Sequence, residues 1–246
     1  MTKAVLILAG QRAGVVDPLC EAANVSHKAE IPIAGIPMLD RVTAALNAAG
    51  FSKNLYVSGY SCSDLIEVKS GKGPADSVRL GLEALDQYPC LITTCDHALL
   101  TADMVSVFIA GAEKAGADIC VGLAAEDVIQ AAYPDTRRTY LRFSDNAVSG
   151  CNLFYIANSN GLKAILFWQS VQHLRKSPLK LARKVGIGIG IKFAMGRLTL
   201  KGAFEYAAKR IGISASPVLM PFAEAAIDVD KPSDLDLVET IIMARK

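Results

Sequence analysis

Apolar positions follow two alternating rhythms along the first half of the chain. Short apolar runs at Ala4–Ala9, Asn54–Ser58, Cys90–Thr94 and Asp118–Leu123 read as buried strands. Between them, Met38–Ala49, Ala75–Gln87 and Ala102–Ala115 repeat apolar residues at three and four positions, as amphipathic helices do. Crossover helices cover both faces of strands that are apolar throughout, so this rhythm predicts a largely parallel sheet between helices. The helix ends agree: Gly50 and Gly116 stand where C-cap glycines belong, and Thr101 stands as an N-cap.

The texture then changes. Residues 133–156, YPDTRRTYLRFSDNAVSGCNLFYI, predict two strands around an Asp145-Asn146 turn, and residues 160–212 read as helical. Ala215–Met220 and Glu224–Val229 return as strands, and Lys231–Ala244 closes as a helix with Pro232 just inside its start. With no repeat and no low-complexity linker, the expectation is a single domain over 1–246 with a helical insertion at about 160–212.

Composition adds limits. A chain of 246 residues that is 52% hydrophobic can bury one sizeable core. Its six cysteines form no C-x-x-C pair, which suits a reducing compartment and argues against a disulfide framework or a structural zinc. The apolar run Ala4–Ala9 is too short for a signal-peptide core or a membrane span, so the expected location is cytoplasmic. Net charge is only +2, but residues 163–210 hold eleven Lys/Arg against one acid, Glu205. The remainder carries 15 Lys/Arg against 23 Asp/Glu, so an acidic body bears a basic segment.

The stretch VLILAGQRAG, residues 5–14, ends an apolar strand in a glycine turn. In open α/β sheets such turns bind anions, because backbone N–H groups at the carboxyl ends of strands are free. The spacing is G-x-x-x-G, which is neither a dinucleotide fingerprint nor a P-loop. Further on come Lys28 ahead of IPIAGIPML, then Gly73-Pro74-Ala75-Asp76-Ser77-Val78, Cys95-Asp96-His97-Ala98-Leu99-Leu100-Thr101, and Asp228-Val229-Asp230-Lys231-Pro232-Ser233-Asp234-Leu235.

In these ordered segments, spanning 5 to 237, the chain resembles the nucleotidyltransferases of the molybdenum-cofactor guanylyltransferase-like (MobA-like NTP transferase) superfamily. It departs from their pattern at Gln11 in place of a second glycine, at His27, at Ala98 in place of proline, and in a longer spacing from Gly10 to Lys28. The resemblance implies a three-layer α/β/α, GT-A-type mixed sheet, here with the basic helical insertion outside the matched segments. It also implies Mg-dependent transfer of a nucleotide from a triphosphate to a phosphorylated small-molecule or lipid-linked acceptor, with pyrophosphate leaving.

The same resemblance assigns candidate roles. Leu8, Ala9, Gly10, Gln11, Arg12 and Gly14 form the triphosphate loop, and Lys28 joins Arg12 in neutralising pyrophosphate. Asp96 and Asp230 are the catalytic carboxylates that hold magnesium, while Gly73, Pro74 and Ser77 hold the nucleoside. Arg138 and Asn152 face the acceptor, with only one of the adjacent Arg137 and Arg138 able to serve in a strand. Each has a plainer reading as a cap, turn or buried polar residue. Alternation sends Asp228 and Asp230 to opposite faces, and the resemblance favours Asp230. His97 stays outside the catalytic set, because a phosphate acceptor arrives already ionised.

Two other classes remain open. A nucleotide-sugar glycosyltransferase of this fold would show D-x-D at a central strand end, where Cys95-Asp96-His97 supplies one aspartate. A non-catalytic nucleotide or lipid-headgroup sensor would suit the altered glycine loop. The basic insertion has three readings: a lid over an anionic acceptor, a peripheral surface for anionic lipid, or an ordinary solvated subdomain. With few aromatics and no known motif it does not suit nucleic acid.

Overall fold

A computed structural model describes residues 4–11, 14, 17–171 and 186–245. Among these the strands are β1 (Ala4–Leu8), β2 (Pro32–Ile33), β3 (Ile36–Pro37), β4 (Leu55–Ser58), β5 (Ile66–Val68), β6 (Cys90–Thr94), β7 (Ile119–Ala125), β8 (Leu141–Arg142), β9 (Ala147–Ile156) and β10 (Ala215–Met220). The α-helices are α1 (Pro18–Ala23), α2 (Met38–Ala48), α3 (Pro74–Leu85), α4 (Ala102–Ala115), α5 (Glu126–Ala132), α6 (Leu162–Val171), α7 (Ile187–Ala194), α8 (Leu200–Ile211) and α9 (Pro232–Ala244).

One mixed sheet runs β10-β7-β9-β6-β1-β4-β5, with β8 paired to β9. Neighbours are parallel except at β9, which lies antiparallel between β6 and β7. Alternation along β1 separates two cores. Val5, Ile7 and Ala9 pack with Leu39, Val42 and Leu46 of α2 and Met104, Val105 and Phe108 of α4. Ala4, Leu6 and Leu8 pack on the other face with Val78 and Leu82 of α3 and Ile165 of α6. Burying a side chain such as Leu6 completely contributes about 1.5–3 kcal/mol before entropy is counted. Helix α3 comes close enough that a Cβ at Gly81 would lie 2.5 Å from a Leu6 methyl, so any larger residue there would force the buried Leu6 side chain to shift. A third cluster joins Leu19, Ile31, Ile33 and Met38 to Ile227, Val229, Val238, Ile241 and Ile242, tying the last helix to the segment after the first loop.

Capping follows the expected chemistry. Thr101 Oγ1 accepts the Met104 N–H at 3.2 Å, and Gly116 closes α4 at φ 61°. Pro232 stands at the start of α9.

Two sequence expectations are corrected. The first strand of the 133–156 pair shrinks to Leu141–Arg142, so Arg137 and Arg138 lie in a loop. Glu224–Val229 is not a strand: Ala223–Ala226 forms a short 3-10 turn, and Ile227–Asp230 runs on without strand pairing. Alanines at 223, 225 and 226 are small enough to press this turn, themselves buried, against β7 and β9. Beyond it Val229 N–H reaches one carbonyl, that of Asp96 at 3.1 Å. Because β6 ends at Thr94, no ladder remains for it to join. Within the insertion, α6, α7 and α8 match the helical expectation, and residues 172–185 lie outside the described residues.

Candidate active site

Three neighbouring strands, β4, β1 and β6, end side by side, and their ladder continues one residue further. Ala9 N–H donates to Ser58 O and Cys95 N–H to Leu8 O, both at 2.9 Å. The backbone of Leu8, Ala9 and Gly10 is thereby fixed at the crevice outside the sheet. Gly59, at φ 92°, forms its floor: a Cβ there would lie 2.6 Å from Gly10 Cα and 2.8 Å from Gly10 N. A Cβ on Gly10 itself would meet nothing within 4 Å among the described residues. Gln11 donates to Cys20 Sγ at 3.4 Å, and Gly14 holds φ 74°. Arg12 lies outside the described residues.

Lys28 rides on a 3-10 turn, Lys28–Glu30, that is pinned at both ends. His27 Nδ1 accepts the Ala29 N–H at 3.0 Å, and Glu30 accepts the N–H groups of Ser26 and His27. Tyr60 hydroxyl donates to Glu30 at 3.1 Å, and its ring lies 4.6 Å from the His27 ring. From this turn Lys28 Nζ reaches Asp96 Oδ2 at 3.1 Å and Asp230 Oδ1 at 2.7 Å, residues 68 and 202 positions away. Burial disfavours the ammonium, but Asp96 and Asp230 together outweigh it and raise the lysine pKa. Thr94 hydroxyl donates to the other oxygen of Asp96 and holds the carboxylate in place.

A second cluster adjoins the first. Arg138, with only 10% of its side chain exposed, pairs with Asp228 and lies 3.6 Å from Asp234. Asn152 Nδ2 approaches the other Asp228 oxygen at 3.4 Å. Asn152 has φ 50° inside β9, where the pairing with β7 slips between Val121 and Leu123, and this irregularity aims its amide out of the ladder. Burial, then the charges of Asp230 and Asp96, push the Asp228 pKa up, with Arg138 opposing them. Asp234 accepts the Asp230 N–H at 3.2 Å and so fixes the backbone next to Lys28.

The nucleoside candidates lie at the start of α3. Gly73 is its N-cap and Pro74 its first residue, and the Ser77 hydroxyl accepts the Gly71 N–H at 2.9 Å. Ser77 therefore orders the preceding loop, helped by Asp76, which accepts Lys72 N–H at 3.0 Å. His97 is buried, and neither ring nitrogen has a partner among the described residues. Burial pushes its pKa down to about 4, so the ring is neutral near pH 7, with no exposed face for proton transfer.

Lys28, Asp96 and Asp230 are thus brought together, and Arg138 and Asn152 meet at Asp228 beside them. Gly59, Thr94, His27 and Asp234 were missed. Gly59 ends a strand in a glycine as Gly10 does, and that parallel was the available signal. Counted formally in these ion pairs among the described residues, Asp96, Asp228, Asp230 and Asp234 oppose Lys28 and Arg138, four negative charges against two positive. Two carboxylates at one open edge are oxygen donors of the kind that suit a divalent cation keeping part of its water shell.

A family model of the MobA-like NTP transferase domain matches residues 5–170. A hypothetical transferase of Thermus thermophilus superposes with a TM-score of 0.82 at 29% identity, covering 96% of this chain and 100% of its own. The 2-C-methyl-D-erythritol 4-phosphate cytidylyltransferase of Thermus thermophilus gives 0.57 at 12% identity, covering 99% and 100%. Molybdopterin-guanine dinucleotide biosynthesis protein A of Archaeoglobus fulgidus gives 0.56 at 11% identity, covering 98% and 100%. Among curated proteins none matches. With residues 5–170 matched, the chain belongs to the MobA-like NTP transferase family.

Proposed function

We propose that the protein transfers a nucleoside monophosphate from a nucleoside triphosphate to a phosphorylated small-molecule or lipid-linked acceptor. An acceptor phosphate oxygen attacks the α-phosphorus. The bond from that phosphorus to the bridging oxygen breaks, and its electron pair leaves on pyrophosphate. The acceptor oxygen is already ionised, so no general base is required, in keeping with the buried, neutral His97.

Positioning and charge neutralisation then carry the catalysis. The backbone of Leu8, Ala9 and Gly10, continued by Gln11, Arg12 and Gly14, cradles the triphosphate. Lys28 neutralises the leaving pyrophosphate. Gly73, Pro74 and the loop ordered by Ser77 hold the nucleoside. Arg138 and Asn152 border the acceptor through Asp228, and the carboxylates of Asp96 and Asp230 would hold Mg2+. When bound, the cation supplies charge neutralisation for the triphosphate.

The observation that carries this reading is the Lys28 ammonium joining two carboxylates from distant segments at the open end of the sheet. The test is a thermal-shift panel of CTP, GTP, ATP and UTP with magnesium, on the natural chain and on Asp96→Asn. A ligand at about 100 times its Kd stabilises by about 2.7 kcal/mol, a rise on the order of 5–10 °C for a chain this long. At least one triphosphate should raise Tm with magnesium and lose the effect in Asp96→Asn, and the same triphosphate with an acceptor should release pyrophosphate. No shift with any of the four would overturn the proposal.

A further inference from the structure

Helix α7 has two unlike faces. Ile189 turns inward and is buried, while Ile187, Ile191 and Met195, spaced by four, are 60%, 52% and 53% exposed. Three large apolar side chains in one stripe are costly to leave in water, and such stripes mark contact surfaces. The helix is not loosely placed. The Phe193 ring meets the Phe143 ring edge-on at 5.6 Å. Just beyond it, Ser144 N–H donates to Leu198 O at 2.9 Å and Leu200 N–H to Asp145 at 2.8 Å. The stripe is therefore fixed over the β8–β9 turn, on the hairpin whose long strand carries Asn152 at the candidate acceptor side.

Charge identifies the occupant. The described part of the basic segment exposes Lys163, Lys192, Arg197, Lys201, Lys209 and Arg210. Its only acid is Glu205, already 3.7 Å from Lys201. A second copy docked face to face would bring these cations against one another. Nucleic acid would call for a platform of free aromatic faces, yet Trp168 stacks on Phe154 and Phe193 packs on Phe143, and the 41% exposed Tyr206 is one face rather than a platform. Apolar side chains with Lys192 on the same helix and Arg197 directly after it fit an anionic bilayer, where the stripe enters the headgroup boundary and the cations meet lipid phosphates. No helix among the described residues is long and apolar enough to cross a membrane, so the contact would be peripheral.

We propose that α7 and its flanking cations dock the protein on anionic membrane surfaces, with the candidate acceptor side of the sheet turned toward the bilayer. The inference narrows the acceptor of the proposed transferase to one presented at a lipid surface, but the docking stands on its own residues. The test is co-sedimentation of the full chain with phosphatidylcholine vesicles, with and without phosphatidylglycerol. Anionic vesicles should pellet the protein at low salt and release it near 1 M salt, where the screening length falls to about 3 Å. Ile191→Glu/Met195→Glu should weaken partitioning at least about tenfold, and Lys192→Glu/Arg197→Glu should weaken it as well. All four side chains are exposed, and an unchanged urea midpoint would confirm folding.

Absence of binding at low salt, equal binding to zwitterionic vesicles, or indifference to both variant pairs would overturn the proposal. So would self-association of the natural chain that Ile191→Glu/Met195→Glu abolishes. The triphosphate thermal shift reads a different site, so either proposal can fail alone.

Discussion

Lys28 is the residue on which the proposed chemistry turns, and its geometry is demanding. Its ammonium sits between two carboxylates, one partly buried and one 64% exposed. The exposed pair contributes little to stability in water. The pair with Asp96 is largely buried, so Lys28→Met should cost up to about 3–5 kcal/mol, and in the protein that remains folded it should lower kcat about 100- to 1000-fold, the usual effect of losing one preorganised charge in a transition state. Lys28→Arg should not restore it, because a planar fork replaces a point charge. Steady-state pyrophosphate release, with circular dichroism as the fold control, measures both. The turn beneath the lysine carries a pH dependence. His27 accepts the Ala29 N–H through Nδ1 and must be neutral to do so, and burial lowers its pKa below the ordinary value, against the Gly59 backbone and Glu30. The unfolded chain thus takes up the proton first. Stability is full above the ordinary histidine pKa of about 6.5 and declines as pH falls through it toward the lower folded value. Urea midpoints measured across that range should show the decline, and His27→Asn, a capping residue that does not titrate there, should make it shallower, the remainder coming from the buried His97. At Gly59, alanine would meet Gly10 backbone at φ 92°. Gly59→Ala should cost about 1–3 kcal/mol and raise the KM for triphosphate, since the loop it supports must shift.

At the scale of elements, what the sequence made legible depended on whether the signal was local. Helix α4 was readable at both ends, from Thr101 and Gly116, because caps answer to side chains one turn away. Thr101→Ala should accordingly cost about 1 kcal/mol, lowering Tm by about 2–4 °C without changing the triphosphate shift. Glu224–Val229 misled because its apolar alternation was genuine. Ile227 and Val229 are buried, but by a helix and a turn rather than a second strand. The left-handed Asn152 could not be foreseen, since a bulge is set by the partner strand and not by the residue that adopts it. Ser77 illustrates a further limit: a motif located it at the start of α3, but only the fold shows its hydroxyl turned to the Gly71 N–H.

Across the whole molecule, strand types could be read but their order could not. Nothing in β9 announces that it enters antiparallel between β6 and β7, yet this placement brings Asn152 and the bulge beside Asp228. Likewise the motif at 228–235 gave Asp230 a role, while its position comes from packing far along α9. Val238, Ile241 and Ile242 bury themselves against the cluster that holds Ile31, Ile33 and Met38, the segment directly after Lys28. The last helix thus works as a clamp that delivers Asp230 to the lysine. If so, damage to the clamp should weaken nucleotide binding beyond its cost in stability. Ile241→Ala should destabilise by about 2–5 kcal/mol and also raise the triphosphate concentration needed for half the thermal shift. Leu200→Ala removes a side chain of the same size from the separate cluster with Leu123 and Val148. It should cost stability on the same scale while leaving that concentration unchanged, since α8 carries none of the residues assigned to the triphosphate or the nucleoside. Equal effects of the two variants on nucleotide affinity would mean that α9 supports the fold without positioning Asp230.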